Sequence, residues 1–358
     1  MGQYILKRLL LIIPTLLLIL LTNFVIIQSA PGGPVEQKIA QIEEAQKHAT
    51  TGMEGGNANA SASGNSGAYR GSRGLSPDMV DAIKQQYGFD KSAPERFWLM
   101  LTSYAKGDFG TSFFKGKPVA QLIFDKMPVS ISLGLWSTLL IYAIAIPLGI
   151  AKATRHHSLM DKSTAILLAV SYAVPVFVLA VILLVFLAGG SYWQIFPLQG
   201  LVSEHFEQLS TLGKIKDYFW HLALPLTAST IGGFAGLTYL TKFSFMEELN
   251  KQYVLTARSK GLSEEKVLYG HVFRNAMLII IAGLPSAILG IFLTGNFLIE
   301  VVFNLDGLGR LGFEAIQQRD YPVIFGTLFI FTLMGLILQL LSDVTYHLID
   351  PRIDFEGR

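Results

Sequence analysis

The sequence predicts an all-α integral membrane protein. It has six transmembrane helices, both termini on the cytoplasmic side, and a long external loop containing a small helical cap. Three observations carry this. Of 358 residues, 51% are hydrophobic and only 15% charged. The apolar residues gather in uncharged runs of about 20, the length that crosses a hydrocarbon core of ~30 Å. The cations gather in alternate loops, as positive-inside segments do. A backbone in lipid must satisfy its own hydrogen bonds, so these runs are helices rather than strands.

The six runs are Leu9–Ile27, Val129–Ala151, Thr164–Ala188, Leu222–Thr241, Met277–Ile299 and Val323–Ile349. The first follows Lys7 and Arg8, as a signal peptide would. Its apolar stretch is too long for a typical signal, and Gln28-Ser29-Ala30 lacks the A-x-A cleavage pattern, so it reads as an uncleaved anchor. The expected organisation is an anchor over 1–30, an external segment over 31–128, a core of five helices over 129–350 and a cytoplasmic tail over 351–358.

Orientation follows from the short loops. Lys7 and Arg8, then Lys152, Arg155 and Lys162, then Lys242, Lys251, Arg258, Lys260, Lys266 and Arg274 fall on one side, read as cytoplasmic. The 300–322 loop on the other side is net acidic, with Glu300, Asp306, Glu314 and Asp320 against Arg310 and Arg319. Tyr192, Trp193, Phe196, Tyr218, Phe219 and Trp220 flank the third and fourth runs on that outer side, as an aromatic belt does.

The external segment has two parts. Residues 52–74 are rich in Gly, Ser, Asn and Ala, a composition expected to be mobile. After them Ser76 can cap a helix, Pro77 suits its first position, and Val80, Ile83 and Tyr87 share a face up to Gly88. Phe97, Leu101 and Tyr104 suggest a second short helix, and the two faces are expected to pack together as a folded cap.

Several chemistries are excluded. With no cysteine there is no disulfide framework and no thiolate nucleophile. A net charge of +2 does not suggest nucleic acid. The chain lacks G-x-x-x-x-G-K-[ST], H-E-x-x-H and G-x-S-x-G, so no catalytic residue, metal site or bound cofactor is expected. His156 and His157 are adjacent, which on a helix sends them to different sides, and they read as solvated surface. Asp343 is the one ionisable candidate within the runs, and its place near a helix end favours an interfacial anchor. Proline and glycine inside the runs, including the Gly232-x-x-x-Gly236 pair, allow either tight helix packing or bending around a pathway. No internal repeat is evident.

The most informative stretch lies in the 242–276 loop. Tyr253–Lys260 reads as a short helix with Tyr253, Ala257 and Lys260 on one stripe. Gly261 suits the left-handed residue that ends a helix. Ser263 can cap the next one, with Glu264 and Glu265 in its first turn where the dipole favours acids. The new helix runs through Val267, Leu268 and Val272 into the fifth span. Two readings stand: a rigid knob that docks on a partner, or a loop held on lipid headgroups by its cations. Glu264 and Glu265 oppose binding to anionic lipid.

"TARSKGLSEEKVLYGHVFRNA" resembles the cytoplasmic loop of the inner-membrane permease subunits of ABC importers for peptides, the binding-protein-dependent transport inner-membrane component family. Its EAA motif places three residues before x-x-x-Gly. Here Leu255, Thr256 and Ala257 hold those places and Gly261 is the glycine, with the Glu and the first Ala replaced. "APGGP", "YGFDK", "GDFGTSF", "PVSISLGLWS", "AGGSYWQIFPLQGLVS", "GLGRLGFEAIQQRDYPVIFGT" and "LIDPRIDFEGR" follow the family across nearly the whole chain.

The resemblance implies a non-catalytic permease of the bacterial inner membrane. It would import oligopeptides, peptide–nucleotide antibiotics of the microcin C type included. Its expected partners are a second, different permease subunit, an ATPase that holds ATP and Mg, a periplasmic peptide-binding protein, the peptide and the bilayer. The knob would be the coupling helix that enters a cleft on the ATPase, through Thr256, Ala257, Arg258, Ser259, Lys260, Gly261, Glu264, Glu265 and His271. On the outer side Asp306, Arg310, Arg319 and Asp320 would face the binding protein. The alternative is a stand-alone channel or ion-coupled carrier, which needs no nucleotide partner.

Overall fold

The computed structural model describes residues 2–29, 32, 33, 35, 36, 38, 39, 42, 77–86, 88–189, 192–293 and 297–349. The 52–74 tract, Ser76, Tyr87 and the 351–358 tail lie outside the described residues. The helices are α1 (Gly2–Ser29), α2 (Pro77–Gln86), α3 (Ala93–Ala105), α4 (Val119–Thr154), α5 (Leu159–Ala173), α6 (Val176–Leu187) and α7 (Thr211–Ile231). They continue with α8 (Gly233–Leu249), α9 (Gln252–Ser259), α10 (Glu264–Val267), a π turn over Leu268–Val272, α11 (Phe273–Leu293), α12 (Phe297–Val302), α13 (Leu308–Gln318) and α14 (Tyr321–Ile349). Among the described residues the only β-pairing is an isolated bridge between Thr111 and Pro118.

Among the described residues four helical stretches are long and apolar enough to cross a membrane: Gln3–Ser29, Val119–Thr154, Glu264–Ile288 and Tyr321–Thr345. A fifth exists if α5 and α6 form one broken span, since they meet at 92°. This differs from the six uniform runs read in the sequence, for two local reasons. Val174 precedes Pro175 and is extended, with φ −80° and ψ 121°, because a proline ring pushes its predecessor out of the helical region. The run Leu222–Thr241 is divided at Gly232 between α7 and α8, and α7 begins as early as Thr211, taking in Lys214, Lys216 and Asp217.

The chain forms two compact units. The first takes Met1–Leu10, Phe124–Leu311 and Leu333–Arg358. Its core has one cluster around Leu133, Ala180, Leu222, Leu226, Ile299 and Phe303, drawn from α4, α6, α7 and α12. A second cluster lies around Phe245, Val254, Val267 and Ile280. Glycines set the closest helix approaches here. A Cβ on Gly134 would lie 2.7 Å from the Ile291 carbonyl, and one on Gly149 would lie 2.5 Å from the Thr241 Cβ. Of the two readings left open for Gly232 and Gly236, close packing finds little support within this chain: a Cβ on Gly236 would meet nothing within 4 Å, and one on Gly232 only the Val176 side chain at 3.6 Å. Gly232 stands at the junction of α7 and α8, so the two glycines do not share one continuous helix face.

The second unit takes Leu11–Ile123 and Gly312–Thr332. Val80 and Ile83 are buried as expected, but against Val35 and Ile39, with Phe89 beside them. They do not pack on Phe97 or Tyr104, which join Phe24, Phe109, Phe325 and Phe329 in a separate aromatic cluster. The face of α2 is taken by Val35 and Ile39, residues assigned no element in the sequence although their spacing of four is helical.

Candidate functional site

The 252–276 stretch is built as a turn between two short helices, and its geometry belongs wholly to the first unit. Helix α9 ends at Ser259 with Lys260 as its C-cap, and Gly261 follows with a φ of +79°, the left-handed value expected of it. The Gly261 N–H donates to the Arg258 carbonyl at 2.9 Å, and the Leu262 N–H to the Ala257 carbonyl at 3.4 Å. Ser263 occupies the N-cap of α10 with extended backbone, but its side chain makes no cap hydrogen bond. The Arg258 guanidinium bridges the turn to Glu264 at 2.9 Å.

The inner face of this stretch is anchored. Val254, Ala257, Val267, Val272 and Ala276 are buried together with Phe245 of α8 and with Ile150 and Ala153 of α4. The Ser244 hydroxyl donates to the Ala276 carbonyl at 2.7 Å, joining α8 to α11. At the entry, the Tyr253 hydroxyl donates to Glu248 at 2.6 Å, and Lys251 pairs with the same carboxylate. Burial pushes the Glu248 carboxyl up, but the bonds from Lys251 and Tyr253 outweigh it and hold the group below its ordinary value.

The other face is largely exposed. Thr256, Arg258, Ser259, Lys260, Gly261, Glu264, Glu265 and His271 are all exposed, as the sequence reading requires of contact residues. Ala257 is the exception. It is buried, so it anchors the turn and is not part of the exposed face. The stripe of Tyr253, Ala257 and Lys260 is correspondingly not uniform, and Val254 with Ala257 forms the buried pair. Leu255, named in the motif but not among the contact residues, is 66% exposed beside Thr256. An apolar side chain displayed at the tip of a charged turn is the signal that reading passed over.

Beneath the knob lies a buried ion cluster that the sequence reading missed. Lys152 and Lys242 were counted as loop cations, yet both are buried. Lys152 Nζ is 2.9 Å from an Asp161 carboxylate oxygen and 2.7 Å from the Thr164 hydroxyl. Lys242 Nζ donates to both Asp161 oxygens at 2.8 Å. His156 Nδ1 lies 3.2 Å from the same carboxylate. Asp343, the ionisable candidate within the last apolar run, takes no part in this cluster. It accepts from the Tyr4 hydroxyl at 2.8 Å and pairs with Arg8 at 3.4 Å. His156 and His157 stand in a turn rather than a helix, so their rings lie 3.7 Å apart instead of diverging. Among the described residues no group of three or more His, Cys, Asp or Glu side chains could hold a metal ion.

The four residues expected on the outer side are differently placed. In the first unit Asp306 pairs with Lys126, and the Arg310 guanidinium donates to Asn304. The Arg310 N–H donates to buried Glu300 at 2.8 Å, and the Ser130 hydroxyl donates to the same carboxylate at 2.8 Å. In the second unit the Arg319 guanidinium donates to the Gly32 carbonyl. Asp320 is 2% exposed, and its carboxylate accepts from the Ser112 hydroxyl and from the Phe113 N–H at 3.1 Å. Asp320 thus holds two loops together and has no surface to offer a partner. Glu300, read as a loop carboxylate, is likewise buried, within α12.

Comparison with known proteins adds a consistent set of likenesses. The model of the family described as "Binding-protein-dependent transport system inner membrane component" matches residues 145–355. The chain is 54% identical, over the full length of both, to the inner membrane ABC transporter permease protein YejB of Escherichia coli O157:H7. It is equally similar, again over both full lengths, to the peptidoglycan transport system permease protein YejB of Agrobacterium fabrum. The oligopeptide transport system permease protein AppB of Bacillus subtilis is 32% identical over 99% of this chain and all of its own length.

Proposed function

The chain belongs to the family of binding-protein-dependent transport system inner membrane components, and from that membership we propose that it is the permease subunit of an ATP-driven peptide importer. The observation that carries the proposal is full-length identity of 54% to permease proteins of ABC transporters, with an oligopeptide permease among the more distant relatives. The chain is a multi-pass inner-membrane protein. Its cargo is oligopeptides. Peptide–nucleotide antibiotics of the microcin C type belong to the same proposal, and the name of the Agrobacterium relative adds peptidoglycan fragments.

The subunit itself hydrolyses nothing. ATP and Mg sit on a partner ATPase, whose cleft receives the exposed tip formed by Leu255, Thr256, Arg258, Ser259, Lys260 and Gly261, with Glu264, Glu265 and His271 at its margin. The anchored inner face of the knob supports this role. Force applied at the tip reaches α8, α11 and the end of α4 through one packed cluster. A second permease subunit completes the pathway, and a periplasmic binding protein delivers peptide to the outer side, where Asp306, Arg310 and Arg319 are candidate contacts. Six spans with both termini inside, the 31–128 segment outside, the 129–350 core and the 351–358 tail inside belong to the same proposal.

Co-expression with candidate partners tests it. The chain should co-purify with a second permease and an ATPase, and ATP hydrolysis should rise when peptide-loaded binding protein is added. Peptide uptake into liposomes by this chain alone, driven by an ion gradient, would replace the proposal with a stand-alone carrier.

A further inference from the structure

The second unit contains a cavity of about 290 Å³. Its apolar wall is made by Phe24, Phe89, Met100, Tyr104, Phe109 and Phe325. Lys91 and Arg96 place two positive charges on the lining, against one negative charge from Asp108. An Asp108 oxygen accepts from the Gly110 N–H at 2.9 Å. The Arg96 guanidinium is held in place, 4.3 Å over the Phe89 ring and donating to the Gln28 amide oxygen at 3.0 Å.

Position narrows the ligand. Phe24 stands near the end of α1 and Phe325 near the start of α14, and both helices are long and apolar enough to span a bilayer. The cavity therefore lies level with the ends of two spans, where hydrocarbon gives way to headgroups. On α3 beside it, Trp98 and Leu99 are 66% and 44% exposed, and an exposed indole is the side chain enriched at that level. An apolar chamber with a few charges at fixed places suits an amphiphile, whose chain fills the chamber while its head meets the charges. A peptide backbone would need rows of hydrogen-bonding groups, and the lining offers few besides Gln28 and Ser103.

We propose that this cavity binds an anionic phospholipid of the adjacent leaflet, with an acyl chain against the aromatic wall and the phosphate towards Lys91 and Arg96. The proposal does not rest on the transport function, and its test reads lipid retention and stability rather than transport.

The purified full chain is titrated with phosphatidylglycerol, with phosphatidylcholine of the same chains and with glycerol 3-phosphate. Retention is read by native mass spectrometry and stabilisation by melting temperature. Phosphatidylglycerol should be retained and should raise the melting temperature, phosphatidylcholine should bind several-fold more weakly, and glycerol 3-phosphate should not be retained. Lys91→Gln, at an exposed position, should lower phosphatidylglycerol retention roughly fivefold and phosphatidylcholine retention much less, since choline already offsets that lipid's phosphate charge. Met100→Trp, which fills the chamber, should remove both. If Met100→Trp fails to fold, Lys91→Gln carries the test. Equal retention of the two lipids, retention of glycerol 3-phosphate as strong as of phosphatidylglycerol, or no effect of Lys91→Gln would overturn the proposal.

Discussion

The Lys242 ammonium lies 2.8 Å from each carboxylate oxygen of Asp161, 81 residues away in sequence. The same carboxylate serves Lys152 of α4, so one aspartate on α5 ties together three helices, and the third of these, α8, leads into the knob. Removing the shared anion leaves two buried cations facing a neutral group. Asp161→Asn should therefore cost about 3–5 kcal/mol, the range for breaking a buried pair. Lys242→Met should cost less, because Asp161 keeps Lys152. Melting temperatures of the purified chain check the order, and a milder effect of Asp161→Asn would mean the cluster is solvated.

Gly149 is the second structural test. A Cβ there would lie 2.5 Å from the Thr241 Cβ and 2.8 Å from the Thr238 carbonyl oxygen. Helix α4 would have to move away from α8. Gly149→Ala should destabilise by about 1–3 kcal/mol, as overpacking does. Gly236→Ala has open space around its Cβ and should be neutral or slightly stabilising, since alanine favours helix over glycine. Parallel melting curves separate the two.

The Glu248 carboxylate supplies a pH signature. Its folded value lies below the ordinary one, so its contribution is fully present above the unfolded value and is lost as pH falls through the folded value. Hydrogen-exchange protection of 250–254 should hold from neutral pH down to the ordinary carboxylate range and drop only below it. Glu248→Gln should abolish that acid step. A step that persists in Glu248→Gln belongs to another group.

Orientation can be read with single cysteines, because the native chain has none. Lys106→Cys, at an exposed position after α3, should react with an impermeant maleimide from the periplasm. Ser259→Cys, at the tip of the knob, should react only after the membrane is opened. The reverse pattern would invert the topology.

Local backbone chemistry was legible in the sequence where one residue dictates it. Gly261 adopts the left-handed conformation its place required, and Val80 and Ile83 are buried as their spacing demands. Pairings between distant segments were not legible. Nothing local marks Lys152 and Lys242 as partners of Asp161, and two lysines at the edges of apolar runs look like loop cations until the helices are seen to extend past them. Ser158-x-x-Asp161 did carry a helix-start signal, and the Ser158 hydroxyl does accept from the Asp161 N–H. That signal specifies a cap and not an ion pair. Proline inside the run left bending open as one reading, but uniform hydropathy did not mark Pro175 as the break, because both halves of the broken run are apolar.

The most direct test of the central claim, that the 252–276 knob conveys the energy of ATP hydrolysis, is Gly261→Val in the reconstituted complex. The glycine has φ +79° and open space around it, so the substitution meets no neighbour. It carries only the conformational cost of a left-handed side chain, roughly 1–2 kcal/mol. The helical spans should insert and the two permeases pair as in the native protein, while the exposed tip from Leu255 to Lys260 shifts relative to the partner cleft. The measurement is ATP hydrolysis with and without peptide-loaded binding protein. The account predicts loss of the ATPase from the complex, or hydrolysis that no longer responds to peptide. Full assembly with normal peptide-stimulated hydrolysis and normal uptake would contradict it and return the stretch to a loop resting on headgroups.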